Sequence, residues 1–189
     1  MKKTILLIIS LLLVFSLIAC APKNTPADPE EPIVENPVEN PSEPTEPVVK
    51  TYDAVLYFAN NEYVLTGDEK FEWMLTEERT VTYGSEICLE EALVKELMAG
   101  PKDTEKMSTG FPSSVELIGV ETLDGTSYVN FKGEGLNGGS MEESYIISQI
   151  VETLGHLDYV DQIQFLVDDQ EVESLMGHIS IDEPIEVGK

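Results

Sequence analysis

The sequence predicts an α+β domain, a sheet of antiparallel or mixed pairing with two helices packed on it. Three observations predict it. Short apolar, β-branched runs read as strands at Ala54–Phe58, Arg79–Tyr83 and Ile163–Val167. Two longer segments repeat apolar residues at helical spacing between start and stop signals, over 85–100 and 140–155. Between them an Asp124-Gly125 pair joins two alternating runs as a hairpin. All of this lies in residues 51–189, whose length is enough to bury about two thirds of the chain's surface.

In order, Ala54-Val55-Leu56-Tyr57-Phe58 is the first strand, Asn60-Asn61 a turn, and Tyr63-Val64-Leu65 a further short strand. Arg79-Thr80-Val81-Thr82-Tyr83 alternates with period two and is the next. Ser85 is placed to cap a helix whose first turn carries Glu86, Glu90 and Glu91, where the helix dipole favours acids. Leu89, Leu93 and Leu97 form its apolar stripe, and Gly100-Pro101 ends it, the glycine through a positive φ and the proline by refusing the next turn. A two-residue turn at Asp124-Gly125 puts Val120 opposite Val129 and Ile118 opposite Phe131 on one face, with Glu121 and Tyr128 on the other. Ser140-Met141-Glu142-Glu143 is a capping box with Ser140 at the cap. The helix it opens aligns Ile146, Ile147, Ile150, Val151 and Leu154 and ends at Gly155. Ile163, Phe165 and Val167 form a strand closed by Asp168-Asp169, and a last strand is expected around His178–Ile181.

The first twenty residues are of another kind. Met1-Lys2-Lys3 is basic, and Ile5–Ala19 holds only apolar groups and two serines. That run falls short of the roughly 20 residues of a membrane span, so 1–19 reads as a secretory signal peptide. Leu17-Ile18-Ala19-Cys20 resembles a bacterial lipobox, which implies that Cys20 becomes the lipidated first residue. Two or more acyl chains of the palmitate type hold a protein stably on a bilayer, where one is marginal. The expected location is thus the outer face of the cell membrane, lipid-anchored. Residues 20–50 follow as the lipidated N-terminus and a disordered stalk: eight of the eleven prolines lie there, interleaved with glutamate and few bulky apolar side chains. Extended at about 3.1 Å per residue, the stalk reaches on the order of 90 Å.

Charge narrows the function. There are 36 Asp+Glu against 11 Lys+Arg, a net −25. Residues 51–189 hold 29 acids and 7 bases, a net −22. Nucleic acid is excluded as a partner, since a polyanion is bound by clustered Lys and Arg; adhesion to anionic lipid through surface charge fails for the same reason. A basic surface on a protein partner suits this domain. Two cysteines do not make a disulfide scaffold.

The domain also resembles the GerMN family of sporulation and spore germination. The resemblance rests on an ordered set of pieces: Tyr57-Phe58, Glu78-Arg79, Leu93 and Leu97 before Gly100-Pro101, Phe111-Pro112 with Val115-Glu116-Leu117, Tyr128-Val129-Asn130-Phe131, Gln149–Leu154, and Val160–Asp168. It implies one GerMN domain on an envelope lipoprotein, acting through assembly at the cell envelope rather than through chemistry. It brings no catalytic residues, cofactor or metal. Gln149 and Thr153 take a core or interface role.

Candidate chemistry is sparse. Gly133-Glu134-Gly135-Leu136-Asn137-Gly138-Gly139 satisfies the dinucleotide fingerprint, and Asp168 ends the next strand. The preceding strand is the second arm of a hairpin, the helix cap comes after the glycines, and Asp168 lies beyond the roughly 20 residues expected. His156 and His178 are far apart and in no zinc spacing. Cys88, the one thiol left once Cys20 carries lipid, is expected to behave as a small buried hydrophobe. Asp168–Glu173 lacks calcium-loop spacing and reads as a solvated hairpin turn, with weak cation binding as the alternative. Arg79, the only arginine, is expected in a fold-stabilising ion pair. The sequence therefore points to a membrane-anchored extracytoplasmic lipoprotein whose domain is a non-enzymatic interaction module for envelope proteins. The alternative is a domain that binds a ligand such as a cell-wall fragment, which predicts a concave pocket with convergent polar groups. An enzyme predicts titratable groups within hydrogen-bond reach in a cleft.

Overall fold

The computed structural model describes residues 48–188; the leader, Cys20 and the stalk up to residue 47 lie outside them. In chain order the elements are β1 (Val49–Asn60), α1 (Asn61–Thr66), β2 (Met74–Gly84), α2 (Leu89–Ala99), β3 (Met107–Ser108), β4 (Leu117–Leu123), β5 (Thr126–Phe131), α3 (Ser140–Leu154), β6 (Gln162–Val167), β7 (Gln170–Glu171) and β8 (Ile185–Glu186).

The α+β class stands, with the strands divided between two sheets. One has the order β2-β1-β3 and is antiparallel; the other runs β4-β5-β6-β7, with β8 also on β6. Mixed pairing is confined to the second sheet, where β5 and β6 are parallel and α3 makes the crossover between them. One core serves both sheets. Leu56 and Phe58 of β1, Leu93 and Leu97 of α2, Ile146, Ile150 and Leu154 of α3, and Val129, Phe131, Ile163 and Phe165 of β5 and β6 are all essentially inaccessible. Each such side chain contributes about 1.5–3 kcal/mol by leaving water. The helical stripes read from the sequence are the ones that line this core. Among the described residues no helix is long and apolar enough to cross a membrane.

Several local expectations are corrected. Tyr63-Val64-Leu65 is not a strand but the body of α1: the Asn60 side chain accepts the Glu62 N–H at 3.1 Å, and Gly67 closes the helix at φ 63°. Six residues are too few for periodicity to separate the two states. Helix α2 is capped by Cys88, not Ser85, because the Gly84 N–H bonds the Ile87 carbonyl at 3.0 Å and holds the intervening residues in a turn. Helix α3 is capped one residue early, at Gly139, whose N–H donates to the Glu142 carboxylate at 2.9 Å. Glu143, the partner Ser140 was expected to have, is turned inward instead.

The hairpin has the expected Asp124-Gly125 turn, with both residues at positive φ, and Val120 faces Val129. A bulge between Leu117 and Gly119 puts Leu117, not Ile118, opposite Phe131 and leaves Ile118 at 44% exposure. The last strand is β8 at Ile185–Glu186 rather than 178–181. Ile181 is buried, so the apolar pattern there reports packing, not a ladder.

Candidate functional site

The strongest polar seam joins α3 to β1. Where the backbone of Tyr57 runs past the end of β3, Gln149 and Thr153 take the place of a neighbouring strand. Gln149 Nε2 donates to the Tyr57 carbonyl at 2.9 Å, and Thr153 Oγ1 accepts the Tyr57 N–H at 3.2 Å. Gln149 Oε1 accepts the Gly110 N–H at 2.7 Å. Both side chains are buried, the structural role expected of them. Gly110 can come this close only without a side chain: a Cβ there would lie 2.6 Å from Cβ of Tyr145. At the end of the seam, Tyr57 stacks on His156 with ring centroids 5.5 Å apart and its hydroxyl 2.9 Å from Nε2.

Arg79 makes the expected ion pairs. Its guanidinium bonds Glu77, with Nε at 3.0 Å, reaches Glu96 at 2.6 Å and the Gly100 carbonyl at 3.1 Å, and lies over the Phe58 ring. Glu77 also accepts the Lys102 N–H at 2.7 Å. The one arginine therefore ties β2 to α2 and to the turn at Gly100, which takes φ 87°. Burial pushes the Glu77 carboxyl up, but its bonds to Arg79 and Lys102 outweigh that and hold it below the ordinary carboxylate range.

Cys88 is exposed, against the expectation of a buried hydrophobe, because it serves as a cap: its sulfur accepts the Glu91 N–H and donates to the Val120 carbonyl, both at 3.4 Å. The desolvation of the sulfur against β4 pushes the thiol up, and Glu90 adds to the effect against the Glu91 N–H. A catalytic cysteine needs the opposite shift. The histidines are engaged elsewhere, His156 with Tyr57 and His178 with the Gly138 carbonyl. Glu143, fully buried, accepts the N–H groups of Met176 and His178 at 2.9 and 2.8 Å and holds the C-terminal segment to α3.

One argument against the glycine-rich loop fails, since β5 does open a parallel β–α–β unit. A stronger one replaces it. The α3 N-terminus, where a pyrophosphate sits in dinucleotide-binding folds, is occupied by the carboxylate of Glu142. Asp168-Asp169 is a hairpin turn between β6 and β7, with both residues at positive φ and Asn130 donating to Asp169 at 2.6 Å. Among the described residues no three metal-ligating side chains form a cluster.

What remains is surface. A depression of about 450 Å³ lies at Asp53, Glu78 and Arg79, but its arginine is already engaged. A groove of about 260 Å³ runs between α1, β3 and the start of α3, lined by Val64, Ser108, Gly110, Met141, Glu142 and Tyr145. Helix α1 buries none of its residues; Val64 and Met141 are 37% and 46% exposed, and Leu65 is 81% exposed. Tyr145 stacks on Trp73, ring centroids 4.2 Å apart, and Tyr63 meets Trp73 edge-on. Periodicity could not reveal this groove, because three segments distant in sequence build it.

Comparison with known proteins places the fold. No curated protein matches the chain significantly. The tandem GerMN domains of the sporulation protein GerM from Bacillus subtilis are similar at 19% identity and TM-score 0.50, over 80% of this chain and 50% of that one, so this chain spans half of the tandem pair. The first GerMN domain of GerM is similar at 15% identity and TM-score 0.53, over 71% of this chain and 97% of that one. A candidate lipoprotein from Clostridium perfringens covers 74% of this chain and 87% of its own at 21% identity, with TM-score 0.49. The likeness to the GerM domains is one of fold. The family model named Germane, described as sporulation and spore germination, matches residues 55–173, from within β1 to just past β7, and this chain belongs to that family.

Proposed function

We propose that the protein is a lipoprotein anchored through Cys20 on the outer face of the cell membrane, and that its Germane domain is a non-enzymatic interaction module in sporulation, germination or envelope assembly. The observation that carries the module reading is the use made of the buried and half-buried polar groups. Gln149, Thr153, Arg79, Glu77 and Glu143 are each engaged by backbone or by one another, in bonds that hold sheets, helices and tail together. Cys88, with its thiol pushed up, is poorly suited to attack. The family match adds the biological setting. The anchor rests on the lipobox and on the short apolar leader.

Two measurements test it. Intact mass of native material is expected to show loss of residues 1–19 and an acylated Cys20; an unmodified residue 20, or a retained leader, removes the anchor. Deletion of the gene is expected to impair sporulation, germination or envelope integrity, with rescue by wild type and by Cys88→Ala alike. Rescue by wild type but not by Cys88→Ala, with the variant protein present at wild-type level, would point to thiol chemistry instead.

A further inference from the structure

We infer that the groove between α1, β3 and α3 is the docking site of the module, and that it takes a peptide segment of a partner protein carrying both apolar anchors and positive charge. This rests on the interaction-module reading and names its surface. The floor is apolar: Val64 from α1 and Met141 from α3 are exposed there, beside Tyr145, which is buried against Trp73. At about 260 Å³ it lies below the usual range for small-molecule sites, roughly 300–1,000 Å³, and suits one or two side chains of a longer segment. Ser108 of the short edge strand β3 lines one wall, where a peptide backbone can run alongside.

Charge chooses the occupant. Glu142 lines the groove, Glu62 lies on α1 and Glu105 just precedes β3, and none of the three has an ion-pair partner among the described residues. The domain carries −22 over residues 51–189. A second copy, the chain's own glutamate-rich segment at 20–50 and an anionic bilayer would each bring negative charge to an acidic domain with Glu142 in the groove wall. A basic segment brings the complement, raising the association rate and favouring the correct partner.

Trp73, the only tryptophan, stacks on Tyr145 of the groove and reports on occupancy without a label. The processed chain, residues 20–189 with Cys20→Ala to keep it in solution, is titrated with a ten-residue peptide of alternating leucine and lysine. A saturable change in Trp73 emission is expected. Val64→Ser with Met141→Ser, both exposed and neither altering charge, should weaken binding at least tenfold. Glu142→Gln keeps the acceptor for Gly139 and should weaken binding several-fold. Glu152→Gln, the same charge change farther along α3, should leave it unchanged. An alternating leucine–glutamate peptide and an oligolysine should not saturate. Equal binding by the wild type and the double serine variant, or equal loss with Glu142→Gln and Glu152→Gln, overturns the site. A response to phosphatidylglycerol vesicles, or a dimer in sedimentation, that the double serine variant abolishes also overturns it, in favour of lipid or a second copy. If the groove fails while the gene deletion still impairs sporulation or the envelope, the module reading survives and only its surface is wrong.

Discussion

Strands β1 and β6 each need a partner along an edge that a full neighbouring strand does not cover, and they meet that need differently. On β6 the answer is backbone: β7 pairs with Leu166 and Val167, and β8 with Gln162 and Ile163. On β1 the short β3 covers Ala59 and Asn60, and side chains of α3 then take over, Gln149 and Thr153 satisfying both groups of Tyr57. A backbone ladder is indifferent to most side-chain changes. A side-chain ladder is specific to the residues that make it, so the first sheet should be fragile to point substitution where the second is not.

Gln149→Leu should do the most damage to the first sheet. It keeps the volume but strips Tyr57 and Gly110 of their partners, and each orphaned backbone group costs about 1–3 kcal/mol. We expect a loss of about 4 kcal/mol in denaturant unfolding, with hydrogen exchange accelerated at Gly110 before the β5–β6 ladder. Uniform acceleration across both sheets would erase the distinction. Arg79→Met should follow at about 3 kcal/mol, because it leaves the half-buried Glu77 charged with only the Lys102 N–H as a partner. Its pH dependence has a definite sign. The folded carboxyl of Glu77 lies below its unfolded value, so its contribution is present above the ordinary glutamate range, about 4.3, and is lost as pH falls through the lower folded value. The gap between wild type and Arg79→Met should therefore narrow below about pH 4.

Strands and helices whose apolar residues face one core could be read from period alone, as with Leu89, Leu93 and Leu97 or Ile146, Ile150 and Leu154. Helix starts could not, because nearby residues compete for the cap: Cys88 displaced Ser85, and Gly139 displaced Ser140 once Glu143 turned to the tail. The β1 seam left a faint sequence signal, Gln149 and Thr153 four apart on α3, but their backbone partner, Tyr57, lies 92 and 96 residues away and is fixed only by the fold. The groove left none, since exposed Val64 and Met141 look alike whether or not they meet.

Glu143→Gln tests a third kind of closure, a buried carboxylate gripping a loop. One oxygen becomes an amide donor aimed at either the Met176 or the His178 N–H, so we expect a loss of about 2 kcal/mol and early proteolysis near 174–178, with the sheets intact.

The smallest effect belongs to β8, and it decides whether the distinction holds. Glu186 pairs with Gln162 through the backbone and its side chain is exposed. Glu186→Ala removes no ladder bond and should change stability by less than about 0.5 kcal/mol. Thr153→Val is the matched change on β1, similar in size but removing an acceptor from the Tyr57 N–H, and should cost about 1–2 kcal/mol. If the two cost the same in one denaturation series, the α3 side chains are ordinary packing. If Thr153→Val costs more and opens Tyr57 selectively, the helix is serving the first sheet as its missing strand.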